Sequence, residues 1–127
     1  MNLEGIDHVA LAVRNVEEAA KWYAEVLGFE PRHTGMWDGI PTFMGKGTTA
    51  IALFPSDEAP AAAAKAQART GILHLAMRAD AENFRSAQDE LKQRGIKFVF
   101  RDHEISHSIY FRDPDDHELE ITTYDLK

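Results

Sequence analysis

The chain has 127 residues, 44% of them hydrophobic and 28% charged, which suffices for one domain with a buried core. Its formal net charge is −7 and its basic residues are not clustered, which argues against nucleic acid and anionic membranes as partners. The sequence has no cysteine, no apolar run near the roughly 20 residues of a membrane span and no signal-like N-terminus, so we expect a cytoplasmic protein without disulfides or thiolate sites.

The first half of the chain predicts a β-α-β-β-β module. A strand is expected at residues 6–13, with the sequence IDHVALAV. A helix follows, because Asn15 and Glu18 have the spacing of a capping box, apolar residues then recur at helical intervals, and Gly28 is a typical stop. Three extended segments follow the helix, at residues 29–34, 42–45 and 49–54.

The second half repeats this order. A strand is expected at residues 72–78, then a helix from the cap Asp80 to Gly95, then strands at residues 96–101, 108–112 and 118–124. Superimposing the halves places His8 on His74, and such an internal repeat indicates two similar modules. The modules span about residues 1–56 and 71–127. Between them, residues 57–70 form an alanine-rich linker, expected to be a solvated connector or to contain a short helical turn.

Strand alternation assigns polar residues to one face of each half. The apolar alternate positions must cover the helices, which leaves His8, His74, Tyr110 and Glu120 on the face away from them. The same face also carries several alanines, although alanine is depleted on strand surfaces that face solvent. These alanines are Ala10, Ala12, Ala50, Ala52 and Ala76. Small residues beside polar ones predict a curved sheet that encloses a cavity, with Glu120 directed inward.

Two histidines and one carboxylate on a shared face are the donor set of a facial metal site. Imidazole and carboxylate suit Fe(II), Mn(II), Ni(II) or Zn(II), and three protein ligands leave positions open for a substrate. The alternative is that each histidine is a hydrogen-bonded structural residue, as strand histidines commonly are. The symmetric pair of His8 and His74, together with Glu120, favours the metal site.

Two stretches resemble a known family over nearly the whole chain. IDHVALAVRNVEEAAKWYAEVLGFE is similar to the opening strand and helix of the vicinal oxygen chelate superfamily, and SIYFRDPDDHELEIT is similar to its closing motif. The superfamily includes glyoxalase I, fosfomycin-resistance proteins, extradiol dioxygenases and bleomycin-resistance proteins. The resemblance implies an α+β fold of two paired βαβββ modules, which form a curved, cup-like mixed sheet with the helices outside. It also implies His8, His74 and Glu120 as ligands of one divalent metal. Asp116 replaces the usual glycine of the closing turn, where aspartate is tolerated.

At several positions this chain lacks residues that are typical of particular family members, which makes some of the family's reactions less expected here. Glyoxalase I-like enzymes have a fourth ligand, a glutamate, where this chain has Ala52, which disfavours that isomerase reaction. Fosfomycin-resistance proteins usually have a threonine where this chain has Ala10, which counts against antibiotic modification without deciding it. Bleomycin-binding members typically lack the metal ligands, whereas this chain keeps all three.

The stretch DHEISHSIYF is most similar to small extradiol dioxygenases. In those enzymes a tyrosine ten residues before the ligand glutamate lies over the site, and Tyr110 has that spacing from Glu120. A further histidine is implied beside the metal ligands, either His103 or His107. The resemblance therefore predicts an Fe(II) oxidoreductase that cleaves a small catechol-like diol with dioxygen. Tyr110 would hydrogen-bond the substrate and the histidine would relay a proton. The alternatives are that Tyr110 only packs in the cup and that both loop histidines are solvated.

Other functions compete with the dioxygenase. One is a fosfomycin-resistance-type or glyoxalase-like transferase or lyase, and another is a non-catalytic protein that binds a small molecule in the same cup. Small two-module members of the family generally pair, so we expect a homodimer, with each site built within one chain or by exchange of modules. Trp37 lies in a glycine-containing loop and is expected to cover the cup as a lid or to lie at the dimer contact.

Overall fold

The computed structural model describes residues 1–58 and 71–127. Most of the linker expected at residues 57–70, with its proposed helical turn, lies outside the described residues. The chain divides into two compact units, Met1–Arg69 and Thr70–Lys127. No helix in the described parts of the chain is long and apolar enough to cross a membrane.

The first unit, called unit 1 below, is a β-α-β-β-β module. Its elements are β1 (Val9–Val13), α1 (Val16–Leu27), β2 (Glu30–Arg32), β3 (Thr42–Lys46) and β4 (Thr49–Pro55). Short 3-10 turns lie at Trp37–Gly39 and Ser56–Glu58. The four strands form a sheet in the order β1-β4-β3-β2, in which β1 is parallel to β4 and the other pairs are antiparallel.

The second unit, unit 2, repeats this topology. Its elements are β5 (Leu75–Arg78), α2 (Ala81–Gln93), β6 (Val99–Asp102), β7 (His107–Arg112) and β8 (Glu118–Thr123). The sheet order is β5-β8-β7-β6, with β5 parallel to β8 and antiparallel pairs elsewhere. The predicted α+β fold of two βαβββ modules is confirmed, and each module forms a separate four-stranded mixed sheet.

Local signals in the sequence set both helix boundaries. The Glu18 backbone N–H donates to Asn15 Oδ1 at 3.0 Å, and Gly28 ends α1 in the left-handed conformation with φ 72°. In α2 the Asn83 N–H donates to Asp80 Oδ1 at 2.8 Å. Gly95, with φ 71°, follows the last turn. The predicted caps and stops are therefore observed in both units.

The first strand of each unit begins three residues later than predicted. The ladder of β1 begins with Val9 opposite Ile51, and that of β5 begins with Leu75 opposite Leu119. The strand assignments at residues 6–8 and 72–74 were wrong, because the parallel partner strands supply ladder hydrogen bonds only from these pairs onward. His8 and His74 consequently lie just before their strands.

Ring contacts identify the helix-facing side of each sheet. Tyr23 of α1 stacks on Phe29 at 5.9 Å between ring centroids, and Phe84 of α2 meets the edge of Phe100 at 6.4 Å. The buried side chains on the same face as these ring contacts, read from the strand registers, are Leu11, Ile51, Leu53, Ile109 and Leu119. The opposite faces carry Phe43 and Ala52 in unit 1, and Tyr110 and Glu120 in unit 2.

Candidate metal and substrate site

Glu120 lies in the middle of unit 2, on a strand between β5 and β7. It is paired with Ala76 on one side and Tyr110 on the other, and only 8% of the residue is exposed. Its Oε1 lies 2.9 Å from His74 Nε2, and its Oε2 accepts a hydrogen bond of 2.7 Å from the Ser108 hydroxyl. Both carboxylate oxygens therefore have partners, as a buried carboxylate requires.

His74 is held from several sides. Its Nε2 faces Glu120, while its Nδ1 lies 3.9 Å from Glu118 Oε2. Its ring meets Tyr110 in an edge-to-face arrangement, with centroids 5.7 Å apart. The ring is thus fixed with one nitrogen toward each carboxylate.

Tyr110 connects this pair to a loop histidine. The Tyr110 hydroxyl lies 3.0 Å from His103 Nε2, and Tyr110 lies directly opposite Glu120 in the pairing of β7 with β8. Burial, followed by the negative charge of Glu120 and the hydrogen bond to it, raises the pKa of Tyr110 above its ordinary value. Tyr110 therefore keeps its proton at neutral pH. His103, Tyr110, His74 and Glu120 form a continuous chain of contacts across one face of unit 2.

The two loop histidines take different faces of the sheet. His107 Nε2 lies 3.6 Å from Asp102 Oδ1, and its ring packs on Phe100, which belongs to the side covered by α2. His103 contacts Tyr110 on the opposite side. Of the two candidates that the sequence left open, the structure places His103 beside Tyr110.

His8 belongs to unit 1. Its Nδ1 is 2.8 Å from Asp7 Oδ2, and its ring meets the edge of Phe43 at 5.0 Å. Across residues 1–58 and 71–127, the structure shows no cluster of three His, Asp or Glu side chains arranged to hold a metal. It therefore brings together two of the three predicted ligands, His74 and Glu120, whereas His8 lies in the other unit.

The contact between His74 and Glu120 suits a metal ion. Two ligand atoms that each lie about 2.1 Å from an ion at right angles are about 3.0 Å apart. The separation of His74 Nε2 and Glu120 Oε1 is 2.9 Å, which fits two adjacent ligands as well as a hydrogen bond. Imidazole nitrogen and carboxylate oxygen are donors that Fe(II), Mn(II), Ni(II) and Zn(II) accept.

A cleft of about 530 Å³ opens beside Tyr110 in unit 2. This volume suits a small organic molecule. His103, Tyr110 and Glu118 line it together with three basic residues, Lys97, Arg101 and Arg112. The sequence did not single out these basic residues. Strand alternation could have found Arg101, because it pairs with Ser108, which lies on the same face as Tyr110.

The loop residue Trp37 packs within unit 1. Its ring lies 5.4 Å from Phe43 and 5.7 Å from His33, and half of the residue remains exposed. Phe43 therefore contacts both Trp37 and His8. Trp37, which was expected to act as a lid or a dimer contact, is therefore linked to His8 through the ring of Phe43.

Comparison with known proteins identifies the family. Residues 5–121 match the model of the Glyoxalase/Bleomycin resistance protein/Dioxygenase superfamily. The chain belongs to this family. It is thus a member of the vicinal oxygen chelate superfamily, as the two sequence stretches indicated.

Individual relatives and solved structures extend this comparison. The chain is 26% identical over a 130-residue alignment to metallothiol transferase FosB of Staphylococcus epidermidis, covering 100% of this chain and 87% of FosB. A lactoylglutathione lyase structure from Agrobacterium tumefaciens has TM-score 0.75 and 21% identity over 97% of this chain and 96% of that one. The fosfomycin resistance protein FosX from Listeria monocytogenes has TM-score 0.73 and 18% identity over 98% and 97%. At these identities the two structures establish the fold alone.

Proposed function

We propose that this protein is a metal-dependent enzyme that binds a small substrate through two adjacent oxygens. Its metal ligands would be His8, His74 and Glu120, with Fe(II) favoured over Mn(II), Ni(II) or Zn(II). The observation that carries the proposal is the chain of contacts from His103 through Tyr110 and His74 to Glu120. A protonated phenol beside a pair of metal-binding side chains is suited to donate a hydrogen bond to a bound substrate oxygen.

The preferred reaction is extradiol cleavage of a catechol-like diol. A bound divalent ion would offer positions for both diol oxygens and for dioxygen. Ring opening breaks a carbon–carbon bond next to the diol, and both atoms of dioxygen enter the product. Tyr110 orients one substrate oxygen, while His103, 3.0 Å from the Tyr110 hydroxyl, accepts a proton lost by the diol and returns it to the product. Ser108 holds Glu120 Oε2, which leaves Oε1 directed at His74.

A second candidate is thiol transfer to an anionic substrate. Two observations favour it: the similarity to a metallothiol transferase over the full chain, and the presence of Lys97, Arg101 and Arg112 around the cleft. Basic side chains suit a carboxylate or a phosphonate. In this reaction a sulfur–carbon bond forms, a carbon–oxygen bond breaks, and the departing oxygen takes a proton, for which Tyr110 is placed as the donor.

One set of assays separates these candidates. The metal content is measured after purification, and the protein is then loaded anaerobically with Fe(II), Mn(II), Ni(II) or Zn(II). Oxygen uptake with a catechol panel, accompanied by ring-opened products, supports the dioxygenase. Mass-spectrometric detection of thiol adducts of fosfomycin, with no oxygen uptake, supports the transferase instead. Saturable binding of these ligands with neither reaction indicates a non-catalytic binding protein, which contradicts the proposed enzyme.

We also propose that the protein is a homodimer. Large apolar side chains just before β1 and β5 are strongly exposed in the single chain: Leu3 (77%), Ile6 (81%), Ile72 (69%) and Leu73 (84%). A second copy of the chain would remove such residues from water. Sedimentation equilibrium at micromolar concentration should give twice the monomer mass, and a mass of 14.3 kDa would contradict the proposal.

A further inference from the structure

Another cavity lies in unit 1 and has a volume of about 440 Å³, which suits a small organic molecule. Residues 3–7, before β1, form part of its lining, and the rest comes from the sheet and its loops. These remaining residues are Arg32, His33, Phe43, Thr48 and Ala50. The lining residues include none of the three proposed metal ligands, and all of them belong to unit 1.

The guanidinium group of Arg32 has no protein partner in the described parts of the chain. Arg32 is half-buried, and its side chain forms no ion pair or hydrogen bond there. Two acids, Glu4 and Asp7, line the same cavity, but Asp7 Oδ2 lies 2.8 Å from His8 Nδ1 instead. A charge that leaves water is normally paired, and a guanidinium has five N–H donors. Arg32 therefore retains donors for a bound acceptor.

A glycine of the neighbouring strand makes room for this guanidinium. Arg32 pairs with Phe43, and Gly45 lies two residues further along β3 on the same face of the sheet. A methyl group on Gly45 would lie 3.1 Å from both Cζ and Nε of Arg32, and 2.5 Å from the Thr49 carbonyl oxygen. The φ angle of Gly45 is outside the left-handed region, so its missing side chain is what matters here. Arg32 can therefore lie close against the sheet.

An aromatic and apolar surface accompanies the charge. Phe43 lies opposite Arg32 in the pairing of β2 with β3, and Ala50 lies opposite Gly45 in the pairing of β3 with β4. The His33 ring meets Phe43 in an edge-to-face arrangement, with centroids 5.1 Å apart. A mainly apolar wall with one charged group is typical of a site for a small molecule whose charged end fixes its orientation.

We propose that this cavity binds a small molecule whose carboxylate or phosphonate group is held by Arg32 and whose apolar body lies against Phe43. A planar guanidinium can donate two parallel hydrogen bonds to two oxygens of such a group, which a point charge cannot do. The inference does not rest on the metal site of the proposed function, so either can fail without the other.

The test uses metal-free protein and four probes: benzoate, phenylphosphonate, inorganic phosphate and benzyl alcohol. Titration calorimetry gives the affinities, and the ¹H–¹⁵N resonance of Arg32 Nε, assigned by its absence in Arg32→Gln, locates the binding. Both aryl anions should bind saturably and shift this resonance. Inorganic phosphate should bind more weakly because it has no apolar body, and the neutral benzyl alcohol should not shift the resonance.

Substitutions of Arg32 should weaken the binding of the aryl anions. Arg32→Gln removes hydrogen bonds between charged groups, so we expect a loss of about 10- to 100-fold in affinity. Arg32→Lys should lose less, because it keeps the charge without the planar fork. Arg32→Gln should unfold at a urea concentration no lower than that of the unmodified protein, since it removes a half-buried charge that lacks a protein partner. This result separates binding from structural support.

Two matched controls change a charge without removing the proposed anion partner. Glu4→Gln removes a negative charge from the same cavity and should bind the aryl anions at least as tightly as the unmodified protein. Arg101→Gln removes a positive charge from the cleft of unit 2 and should leave these affinities unchanged.

Several outcomes would overturn the inference. One is an undiminished affinity of Arg32→Gln for the aryl anions, and another is a loss of binding in Arg101→Gln instead. Benzyl alcohol that binds as tightly as benzoate would contradict the role of the anion, and inorganic phosphate that binds as tightly as phenylphosphonate would contradict the role of the apolar wall. No saturable binding at millimolar concentrations would also refute the site. A lower sedimenting mass for Arg32→Gln would assign Arg32 to a contact between copies of the chain.

Discussion

The two units share a backbone plan and differ in the chemistry of one face. At equivalent positions, unit 1 has Phe43 and Ala52 where unit 2 has Tyr110 and Glu120. Unit 1 therefore offers an aromatic ring and methyl groups, whereas unit 2 offers a phenol and a carboxylate. The sheet registers are the same, so the difference arises from side chains alone. A duplicated fold can supply duplicated positions while only one copy holds a polar network.

Burial explains why the difference is not easily reversed. Ala52 is fully buried, and Glu120 is 8% exposed and held by His74 and Ser108. A carboxylate is stable at the unit 2 position because hydrogen-bond partners accompany it. At the unit 1 position, the strand neighbours of Ala52 are Ala10 and Phe43, which offer no side-chain donor.

Removal of the distinguishing carboxylate should have the largest effect. Glu120→Ala deletes a proposed ligand, so we expect metal affinity to fall by more than about 100-fold, beyond the loss typical of a residue that only orients a ligand. Equilibrium dialysis with Zn(II) measures this. Glu90→Ala, on the exposed face of α2, is the matched control and should retain full binding. Stoichiometric metal in Glu120→Ala would remove Glu120 from the ligand set.

The reverse substitution tests whether unit 1 accepts a carboxylate. Ala52→Glu places a charge at a fully buried position whose strand neighbours, Ala10 and Phe43, have no side-chain donor, which should cost about 3–5 kcal/mol of unfolding free energy in metal-free protein. Urea denaturation gives the value. Ala10→Glu, on the exposed neighbouring position of the same face, should change stability by less than about 0.5 kcal/mol. Equal stabilities for the two variants would show that burial does not separate these positions.

Replacement of Tyr110 by the residue type found in unit 1 should affect turnover but not metal binding. Tyr110→Phe removes the hydroxyl that lies 3.0 Å from His103 and keeps the ring against His74. Loss of one transition-state hydrogen bond lowers kcat by about 10²–10³-fold. Steady-state kinetics and metal titration are run side by side. Tyr124→Phe, a half-exposed tyrosine that contacts Arg78, serves as the control. An unchanged kcat would limit Tyr110 to packing.

The two loop histidines should differ in the same assay. His103→Gln breaks the contact with Tyr110 and should lower kcat by about 10²-fold, the lower end of the range for proton-transfer residues. His107→Gln alters a contact with Asp102 on the α2 side and should leave kcat unchanged. The opposite result, with turnover dependent on His107 alone, would refute the assignment of His103 as the proton carrier.

The sequence predicted a large part of the fold because its signals were local. Asn15, Asp80 and Gly28 act within one turn of their own helices, so their roles follow from short-range hydrogen bonds and backbone conformation. Strand parity placed Tyr110 and Glu120 on one face for the same reason, since alternation is a property of the strand itself. The starts of β1, β5 and β6 were each predicted three residues too early, because a strand begins where a distant partner supplies hydrogen bonds.

In the candidate site, too, some features followed from the sequence and others only from the tertiary structure. The two stretches that resemble the superfamily indicated the family, while the repeat and strand parity indicated the βαβββ modules and the candidate residues His74, Glu120 and Tyr110. Tertiary structure alone decided that His103 and not His107 contacts Tyr110. It also decided that Glu118 lies at His74 Nδ1. These contacts join residues from different strands and loops, and their distances depend on register and rotamer, which no periodic pattern along the chain encodes.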